Sequence, residues 1–276
     1  MNSVIFCGDT VRIKNAENFS LNQTLDCGQA FRWQMSKDGV WNGVAYGKYI
    51  EIYSDNGDIV IKGTNKQDFD NIWCSYFDIK RDYSKIIKTV SSDNTLRLAS
   101  EFGSGIRVLN QEPWEALCSF IISQNNNIPR IKGIIERLCE NFGEKCAGRY
   151  SFPSANRLAD LEIDDLAPLR CGFRARYIID AARKVSTGEI DLISLKNTDY
   201  ETAKAKLMTI TGVGPKVADC TLLFGLGHIS AFPKDVWIKR AMQVLFDGEL
   251  PDCAVPYAGI VQQYIFYYAR SNNINF

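Results

Sequence analysis

The sequence predicts an α+β fold, in which a small N-terminal antiparallel β-sheet domain precedes a larger, mostly α-helical region. Two observations support this class. Before residue 100, short runs alternate between apolar and polar residues and are broken by Gly and Asn, whereas after residue 105 the apolar spacing is helical almost throughout. We place the sheet domain at residues 1–104 and the helical region at 105–276. Since no low-complexity linker separates them, we expect the two parts to pack together.

The first domain is predicted to contain at least three strands and two short helices. The runs VWNGVAYG, KYIEIYS and DIVIKG alternate, and they are broken by GK at 47–48 and SDNG at 54–57. Short breaks of this composition are typical of β-hairpins. Helical patterns follow around Lys66–Tyr76 and Tyr83–Val90.

Seven helices are predicted beyond residue 105. Pro113 suits the first position of the first one, and Gly143 is a suitable stop for the second, which begins at Pro129. The segments are EPWEALCSFIIS, PRIKGIIERLCENFG, RARYIIDAARKVSTG, TDYETAKAKLMTI, KVADCTLLFGL, DVWIKRAMQVLF and VPYAGIVQQYIFYYARS.

The composition excludes several classes of protein. With 46% hydrophobic and 23% charged residues the chain is typical of a packed globular protein, and its zero net charge gives no global sign of nucleic-acid binding. Nine scattered cysteines without a CxxC pair, and a single histidine, His228, argue against zinc, iron–sulfur and His-based sites. The start, MNSVIFCGDTVRIK, lacks the pattern of a signal peptide, and no run approaches the ~20 apolar residues of a membrane span. We expect a soluble, cytoplasmic protein.

A helical hairpin is predicted at about residues 199–226. The segment TDYETAKAKLMTI-TGVG-PKVADCTLLF places a tight turn with Gly212 and Gly214 between two helices. Backbone N–H groups without partners inside that turn could bind a DNA phosphate. The alternative is an ordinary αα-hairpin of a helical bundle, although GVGxK is typical of helix-hairpin-helix motifs.

Lys216 stands on the first turn of the second hairpin helix, where the helix dipole disfavours a cation. Lys216 and Cys220 share one face of that helix. If this face lines a pocket, desolvation and the positive helix end favour the neutral amine, which is a nucleophile able to form a Schiff base. A solvated or phosphate-contacting lysine is the alternative, and the local sequence leaves both open.

Asp235, in SAFPKDVWIKRAM, opens a later helix about twenty residues after Lys216. An N-cap is the ordinary role of such an aspartate. A second role is also open, because a carboxylate near a nucleophilic lysine could stabilise a developing sugar cation or move a proton.

Six motifs occur in order: LDCGQAFRW, SFIISQNNNIPRI, CGFRARYI, ITGVGPKVADC, FPKDVW and PYAGIVQQYIF. In these motifs the chain resembles the 8-oxoguanine DNA glycosylase/AP lyases of the eukaryotic type, within the helix-hairpin-helix, Gly/Pro-rich loop and aspartate superfamily. The resemblance implies base-excision repair of double-stranded DNA containing oxidised guanine. It implies that Lys216 attacks C1′ of the damaged nucleotide and that β-elimination then nicks the strand. Asp235 would stabilise the oxocarbenium-like charge.

The resemblance also implies a pocket for the extruded base. Gly28 would accept from the N7–H that 8-oxoguanine has and guanine lacks, and a side chain there would crowd the pocket. Gln262 would bond the Watson–Crick edge, while Phe266 and Cys220 would sandwich the base. Without the resemblance, Gly28 would be a turn glycine, and Phe266 and Cys220 would be core residues.

The same resemblance assigns a second set of residues to the opposite strand. Asn125, Arg130 and Arg174 would read the widowed cytosine, and Phe173 would intercalate as a wedge. The alternatives are a solvated, phosphate-facing pair for Arg174 and Arg176, and loop packing for Phe173.

The hairpin carbonyls of Met208, Ile210 and Val213 match a monovalent-cation site of the family, so K⁺ or Na⁺ is expected there, and no cofactor is otherwise required. Two positions depart from the family pattern: Trp237 replaces its usual histidine, and Ala269 replaces an acidic residue that often pairs with it. These departures leave the lesion contacts on that side of the pocket open.

Two other functions remain open at this stage. One is a non-catalytic helix-hairpin-helix DNA-binding protein, which has no need of a lysine–aspartate pair. The other is a monofunctional alkylated-base glycosylase, which would keep Asp235 and tolerate loss of Lys216. Cys253 stands alone near the C-terminus, which separates the chain from the iron–sulfur branch that resembles endonuclease III. We expect a monomer without membrane association, located in the cytoplasm, or at the nucleoid in a prokaryote.

Overall fold

A computed structural model describes residues 3–272 and shows an antiparallel sheet of six strands ahead of a helical region, which confirms the predicted α+β class. The strands are β1 (Val4–Cys7), β2 (Thr10–Ile13), β3 (Gln34–Met35), β4 (Trp41–Ala45), β5 (Lys48–Asp55) and β6 (Asp58–Lys62). Their spatial order is β1-β2-β6-β5-β4-β3. The three predicted strands are β4, β5 and β6; the other three are short and were missed.

Two tight turns define the centre of the sheet. Tyr46 and Gly47 join β4 to β5 with φ of 52° and 70°, and Asn56 and Gly57 join β5 to β6 with φ of 50° and 85°. Two-residue loops with positive φ at both positions are type I′ turns, which match the twist of paired strands. Both predicted hairpins are therefore present, although the first turn is Tyr46-Gly47, one residue before the predicted break at 47–48.

Aromatic side chains cover one face of the sheet. Trp33, Trp73 and Phe77 are almost completely buried there. Trp33 lies so close to Gly43 of β4 that a Cβ at that position would fall 2.6 Å from the indole ring. The covering segments are helix α1 (Leu21–Leu25), helix α2 (Lys66–Asp68), a π-helical turn (Phe69–Trp73) and helix α3 (Cys74–Tyr76).

The rest of the described chain is mainly helical, and all seven helices predicted beyond residue 105 are present. The α-helices are α4 (Tyr83–Val90), α5 (Asn94–Phe102), α6 (Pro113–Ser123), α7 (Ile128–Phe142), α8 (Ala155–Ala159), α9 (Arg174–Ser186), α10 (Leu192–Leu195), α11 (Tyr200–Leu207), α12 (Pro215–Phe224), α13 (Val236–Phe246) and α14 (Ala258–Ser271). A small hairpin of β7 (Lys145–Cys146) and β8 (Arg149–Tyr150) and two 3₁₀ segments (Ile163–Leu169 and Asp252–Tyr257) complete it.

Helix α6 lies at the centre of the helical core. All its residues from Trp114 to Ile122 are buried, and it packs against α7, α9 and α12. Helices α4 and α5 contribute to the same core, and Phe102 of α5 contacts Tyr267 of α14 with ring centroids 5.4 Å apart. The predicted division of the chain at residue 104 stays a prediction. Within residues 3–272, no helix has the length and apolar character required to cross a bilayer.

Candidate active site

Two adjoining cavities lie where α6 and α12 meet α13 and α14. The larger, called the outer cavity here, has a volume of about 490 Å³. The smaller, called the inner cavity because the buried residues Cys27, Cys220 and Gln262 line it, has a volume of about 60 Å³. Both are lined by Gly28, Phe120, Lys216, Asp235 and Phe266. The structure therefore brings the candidate nucleophile and the candidate carboxylate, 19 positions apart in the chain, to one opening.

Lys216 is half-buried on the first turn of α12, which begins at Pro215 after the N-cap Gly214. Its Nζ donates to Ser123 Oγ at 3.3 Å and lies 5.3 Å from the ring centroid of Phe120. The Ser123 hydroxyl in turn donates to the Phe120 carbonyl at 2.8 Å. The hydroxyl proton is thus engaged, and an oxygen lone pair is directed at the amine. Sequence reasoning missed Ser123, although it is the last residue of an apolar helix before a polar loop.

Asp235 is the N-cap of α13, as its ordinary role predicts. Its Oδ1 accepts from Ile238 N at 2.7 Å. This bond uses one of the two carboxylate oxygens and fixes the side chain while it lines both cavities. The N-cap role and a role in chemistry are therefore compatible in this residue.

The inner cavity contains the four predicted base-pocket residues: Gly28, Cys220, Gln262 and Phe266. Burial raises the pKa of the Cys220 thiol to about 11, and the positive charge of Lys216 only partly opposes this. The thiol therefore stays protonated near neutral pH and does not compete with the amine as a nucleophile.

Gly28 has φ of +88°, which explains the glycine without reference to a ligand. A Cβ added there would meet only Ile128 Cδ1, at 3.7 Å, which is ordinary van der Waals contact. The surrounding protein atoms thus leave room for a Cβ, and the expectation that a side chain would crowd a bound base stays a prediction. Backbone conformation is what requires the glycine.

The four residues predicted to contact the opposite strand divide into two groups. Asn125, Arg130 and Phe173 are exposed, with Phe173 46% accessible, whereas Arg174 is only 3% accessible. The first three side chains are therefore accessible from solvent. Asn125 has φ of +45° in the loop between α6 and α7, a left-handed conformation that asparagine adopts more readily than most residues.

Arg174 is held by backbone carbonyls. Its guanidinium donates to the carbonyls of Gln124, Asn125 and Cys171, and it lies 4.5 Å from the ring centroid of Phe173. The alternative of a solvated, phosphate-facing Arg174 is therefore wrong. In this conformation Arg174 fixes the loop that presents Asn125.

The helix-hairpin-helix is present as predicted, with α11 and α12 joined by residues 208–214. Gly212 has φ of +79°, and a Cβ there would lie 2.3 Å from the ring of Tyr177. Val213 N donates to the Ile210 carbonyl at 3.0 Å, so the expectation that no N–H finds a partner inside the loop is wrong for this group. The loop is also tied to α9, because Thr211 N donates to Asp180 at 2.7 Å.

A buried polar cluster, which sequence reasoning missed, locks the two hairpin helices together. Asp219 of α12 is 5% accessible and accepts from Tyr200 Oη at 2.7 Å and from Lys204 Nζ at 2.9 Å. Both donors stand on α11. This cluster fixes the angle at which α12 presents Lys216.

Carbonyl oxygens are suitable ligands for a hard cation. Among the three predicted carbonyls, that of Ile210 already accepts from Val213 N, yet its second lone pair is free to coordinate. Backbone carbonyls are the kind of donor that K⁺ or Na⁺ takes, and a cation site at this loop stays a prediction. In the part of the chain that the structure describes, no cluster of three or more His, Cys, Asp or Glu side chains could hold a metal.

The two departures from the family pattern both lie in the wall of the outer cavity. Trp237 is 54% accessible on the first turn of α13, and Ala269 is buried on α14. Their neighbours in the wall include the apolar Ile238 and Ala241 and the charged Arg270. This side of the cavity therefore combines apolar side chains with a guanidinium group.

A β-sheet ahead of a helix-hairpin-helix, with a lysine and an aspartate at one pocket, defines the class: a base-excision DNA-repair protein. Two family models agree with this class. The N-terminal domain of 8-oxoguanine DNA glycosylase matches residues 11–117, and the HhH-GPD superfamily of base excision DNA repair proteins matches residues 118–249.

Individual relatives narrow the class further. The chain is 37% identical over 188 residues to an N-glycosylase/DNA lyase of Saccharomyces cerevisiae (62% of this chain, 45% of the relative). It is 30% identical over 257 residues to N-glycosylase/DNA lyase OGG1 of Arabidopsis thaliana (85% of this chain, 67% of the relative). The chain thus spans less than half the length of the yeast relative.

A solved structure covers almost the whole chain. The 8-oxoguanine glycosylase/lyase of Clostridium acetobutylicum, in complex with double-stranded DNA containing cytosine opposite 8-oxoG, superimposes with a TM-score of 0.92 at 38% identity, over 99% of each chain. The chain belongs to the 8-oxoguanine DNA glycosylase family.

Proposed function

We propose that this protein excises 8-oxoguanine from double-stranded DNA, preferentially opposite cytosine, and then nicks the strand as an AP lyase. The observation that carries the proposal is the convergence of Lys216 and Asp235 on one pocket whose inner part contains Gly28, Gln262 and Phe266. Neither a purely DNA-binding hairpin protein nor a water-using alkylated-base glycosylase requires a lysine at this place.

The proposed chemistry begins with the amine of Lys216 as nucleophile. Its nitrogen bonds to C1′ as the C1′–N9 bond breaks, and the base departs with a proton. Asp235 stabilises the positive charge that develops on the sugar and assists proton transfer. Opening of the C1′–O4′ bond then gives a Schiff base between Lys216 and C1′.

Strand nicking follows from that Schiff base. Loss of a proton from C2′ expels the 3′-phosphate by β-elimination, and hydrolysis of the imine returns the amine. In the free protein Ser123 holds the amine by a hydrogen bond at 3.3 Å. This contact keeps Lys216 at the pocket before substrate arrives.

Base selection is proposed to occur in the inner cavity after the nucleotide is flipped, which costs a few kcal/mol of stacking. The Gly28 carbonyl would accept from N7–H of 8-oxoguanine, whereas guanine would set a lone pair against it. Phe266 and Cys220 would enclose the base, and Gln262 would bond its Watson–Crick edge.

The opposite strand is proposed to meet the exposed residues Asn125, Arg130 and Phe173, with Arg174 behind them. Phe173 would fill the gap as a wedge. Gly212 and Gly214 of the hairpin would meet phosphate, with K⁺ or Na⁺ on the carbonyls of the same loop. A monomer in the cytoplasm, or at the nucleoid of a prokaryote, is the proposed working form.

Excision and nicking can be tested separately on a labelled duplex with one 8-oxoguanine opposite cytosine. Alkali cleaves every abasic site, so the product before alkali reports nicking and the product after alkali reports excision. We expect both from the wild-type protein, and faster excision opposite cytosine than opposite adenine. Intact DNA after alkali would refute the proposed substrate, and excision without nicking would refute the lyase step.

The alkylated-base alternative has its own prediction on a duplex that contains 3-methyladenine. An enzyme of that kind would release the base without nicking and would tolerate Lys216→Gln.

Specific DNA binding should also fall steeply with salt if the substrate is DNA, because each phosphate contact releases counterions. A flat salt response would count against any DNA substrate.

A further inference from the structure

A second glutamine lies behind Gln262 in the inner cavity. Gln262 and Gln263 are each 5% accessible, and both line that cavity. Neighbouring helix residues do not normally face each other, yet Gln263 Nε2 donates to Gln262 Oε1 at 2.6 Å. Gln263 therefore holds the carboxamide of Gln262 directly.

Cys27 supports Gln263 from the other side. Its thiol has two acceptors at equal distance, Gln263 Oε1 and the Thr24 carbonyl oxygen, each 3.4 Å from Sγ, and the one S–H proton serves both. Cys27 is 2% accessible, and burial raises its pKa to about 12, so the thiol keeps its proton and acts as a donor. With its oxygen facing Cys27, Gln263 presents its NH₂ group to Gln262.

We propose that Cys27 and Gln263 are positioning residues that lock the Gln262 carboxamide in one orientation, so that the pocket accepts 6-oxopurines and rejects 6-aminopurines. The inference rests on the proposed function. It assigns a specificity role to two residues that do not themselves contact the base edge.

Selection follows from the order of donors and acceptors on the base. 8-Oxoguanine presents the acceptor O6 next to the donor N1–H, whereas 8-oxoadenine presents the donor N6–H next to the acceptor N1. In a locked Gln262, the Nε2 group can donate to O6 of 8-oxoguanine while the second lone pair of Oε1 accepts from N1–H. The same orientation would set donor against donor and acceptor against acceptor with 8-oxoadenine. A free carboxamide could flip and pair with either base.

Two variants of Gln263 test the lock. In Gln263→Glu the introduced carboxylate can only accept, so it should draw the Nε2 group of Gln262 toward itself and reverse the carboxamide. Gln263→Met removes the bond at similar length and should leave the carboxamide free. We expect the ratio of excision rates for 8-oxoguanine over 8-oxoadenine to fall about tenfold or more in the Glu variant, and less in the Met variant.

The assay uses single-turnover excision from two duplexes, each with one lesion opposite cytosine, at pH 8. Each rate is divided by the same variant's rate of nicking at a preformed abasic site, which has no base to recognise. This normalisation removes general loss of active protein, and thermal unfolding checks that each variant is folded. A merely structural role would lower both excision rates together and leave their ratio unchanged.

A second pair of variants decides the question if the Gln263 variants do not fold. Cys27→Ser keeps a donor and should keep the wild-type ratio, whereas Cys27→Ala removes it and should lower the ratio. The proposal is overturned if the ratio of excision rates in Gln263→Glu stays within twofold of wild type. If Gln263→Glu does not fold, the same result in Cys27→Ala overturns it. A wild-type protein that excises neither base refutes the proposed function itself, and the inference falls with it.

Discussion

Replacing Arg174 by alanine should destabilise the fold, whereas replacing Arg130 should not, although the family resemblance implies that both residues read the opposite base. Arg174 is 3% accessible and donates to three backbone carbonyls, while Arg130 is exposed. The two variants form a matched pair, because each removes one guanidinium near the same loop.

The magnitude follows from the three carbonyls. The bond to Cys171 is buried, and leaving such an acceptor unpaired costs about 1–3 kcal/mol. The carbonyls of Gln124 and Asn125 lie in a loop that water can reach, so their loss adds only about 1 kcal/mol. Burial, with a smaller contribution from the charge of Arg130, lowers the pKa of Arg174. Removing Arg174 therefore also removes the free-energy cost of burying its charge. We therefore expect Arg174→Ala to lose about 2–4 kcal/mol.

Thermal unfolding measures the difference directly. For a chain of this size, the loss corresponds to roughly 4–10 °C in Tm, whereas Arg130→Ala should stay within about 0.5 kcal/mol of wild type. Both variants should excise 8-oxoguanine with a smaller preference for cytosine over adenine in the opposite strand. Equal Tm values for the two variants would refute the assignment of Arg174 as the residue that holds the loop.

Two further predictions concern the hairpin and the half-buried acid Glu112. Gly212→Ala should cost about 2–4 kcal/mol in unfolding free energy and weaken DNA binding, because its Cβ would meet the Tyr177 ring at positive φ. Gly214→Ala has room for its Cβ but loses a glycine N-cap of α12, so it should cost only about 1 kcal/mol in the same denaturant titration. Burial, reinforced by the charge of Glu115, raises the pKa of Glu112 to about 7. Below the pKa of Glu112 in the unfolded chain, this group does not reduce the free energy of unfolding. As the pH rises from there toward 7, the unfolded chain loses the proton first and the free energy of unfolding falls. The free energy of unfolding of Glu112→Gln should thus exceed that of wild type by about 1–3 kcal/mol at pH 8 and by little at pH 5. Equal gains at the two pH values would contradict this.

The sequence predicted the parts of the fold that depend on local chemistry. Alternating runs and the Asn56-Gly57 turn indicated β5 and β6, and Pro113 marked the start of α6. The strands β1 to β3 were missed because two to four residues carry too little periodicity to distinguish a strand from a loop.

The candidate site was predicted as a set of residues, but its energetics were not. The motifs named Lys216 and Asp235, and the structure places both at one pocket. Nothing in the motif containing Arg174 indicates that its guanidinium is satisfied by backbone carbonyls, because such contacts depend on how α6, α7 and α9 meet. The Gln262–Gln263 bond was equally invisible, since adjacent helix positions normally diverge.

The central claim is that Lys216 forms a covalent Schiff base with damaged DNA. The direct measurement is borohydride trapping on a labelled duplex with 8-oxoguanine opposite cytosine, using wild type, Lys216→Gln and, as a matched control, the exposed neighbour Lys234→Gln. The account predicts a covalent adduct for wild type and for Lys234→Gln, and none for Lys216→Gln. An adduct that survives in Lys216→Gln, or is lost in Lys234→Gln alone, would contradict it.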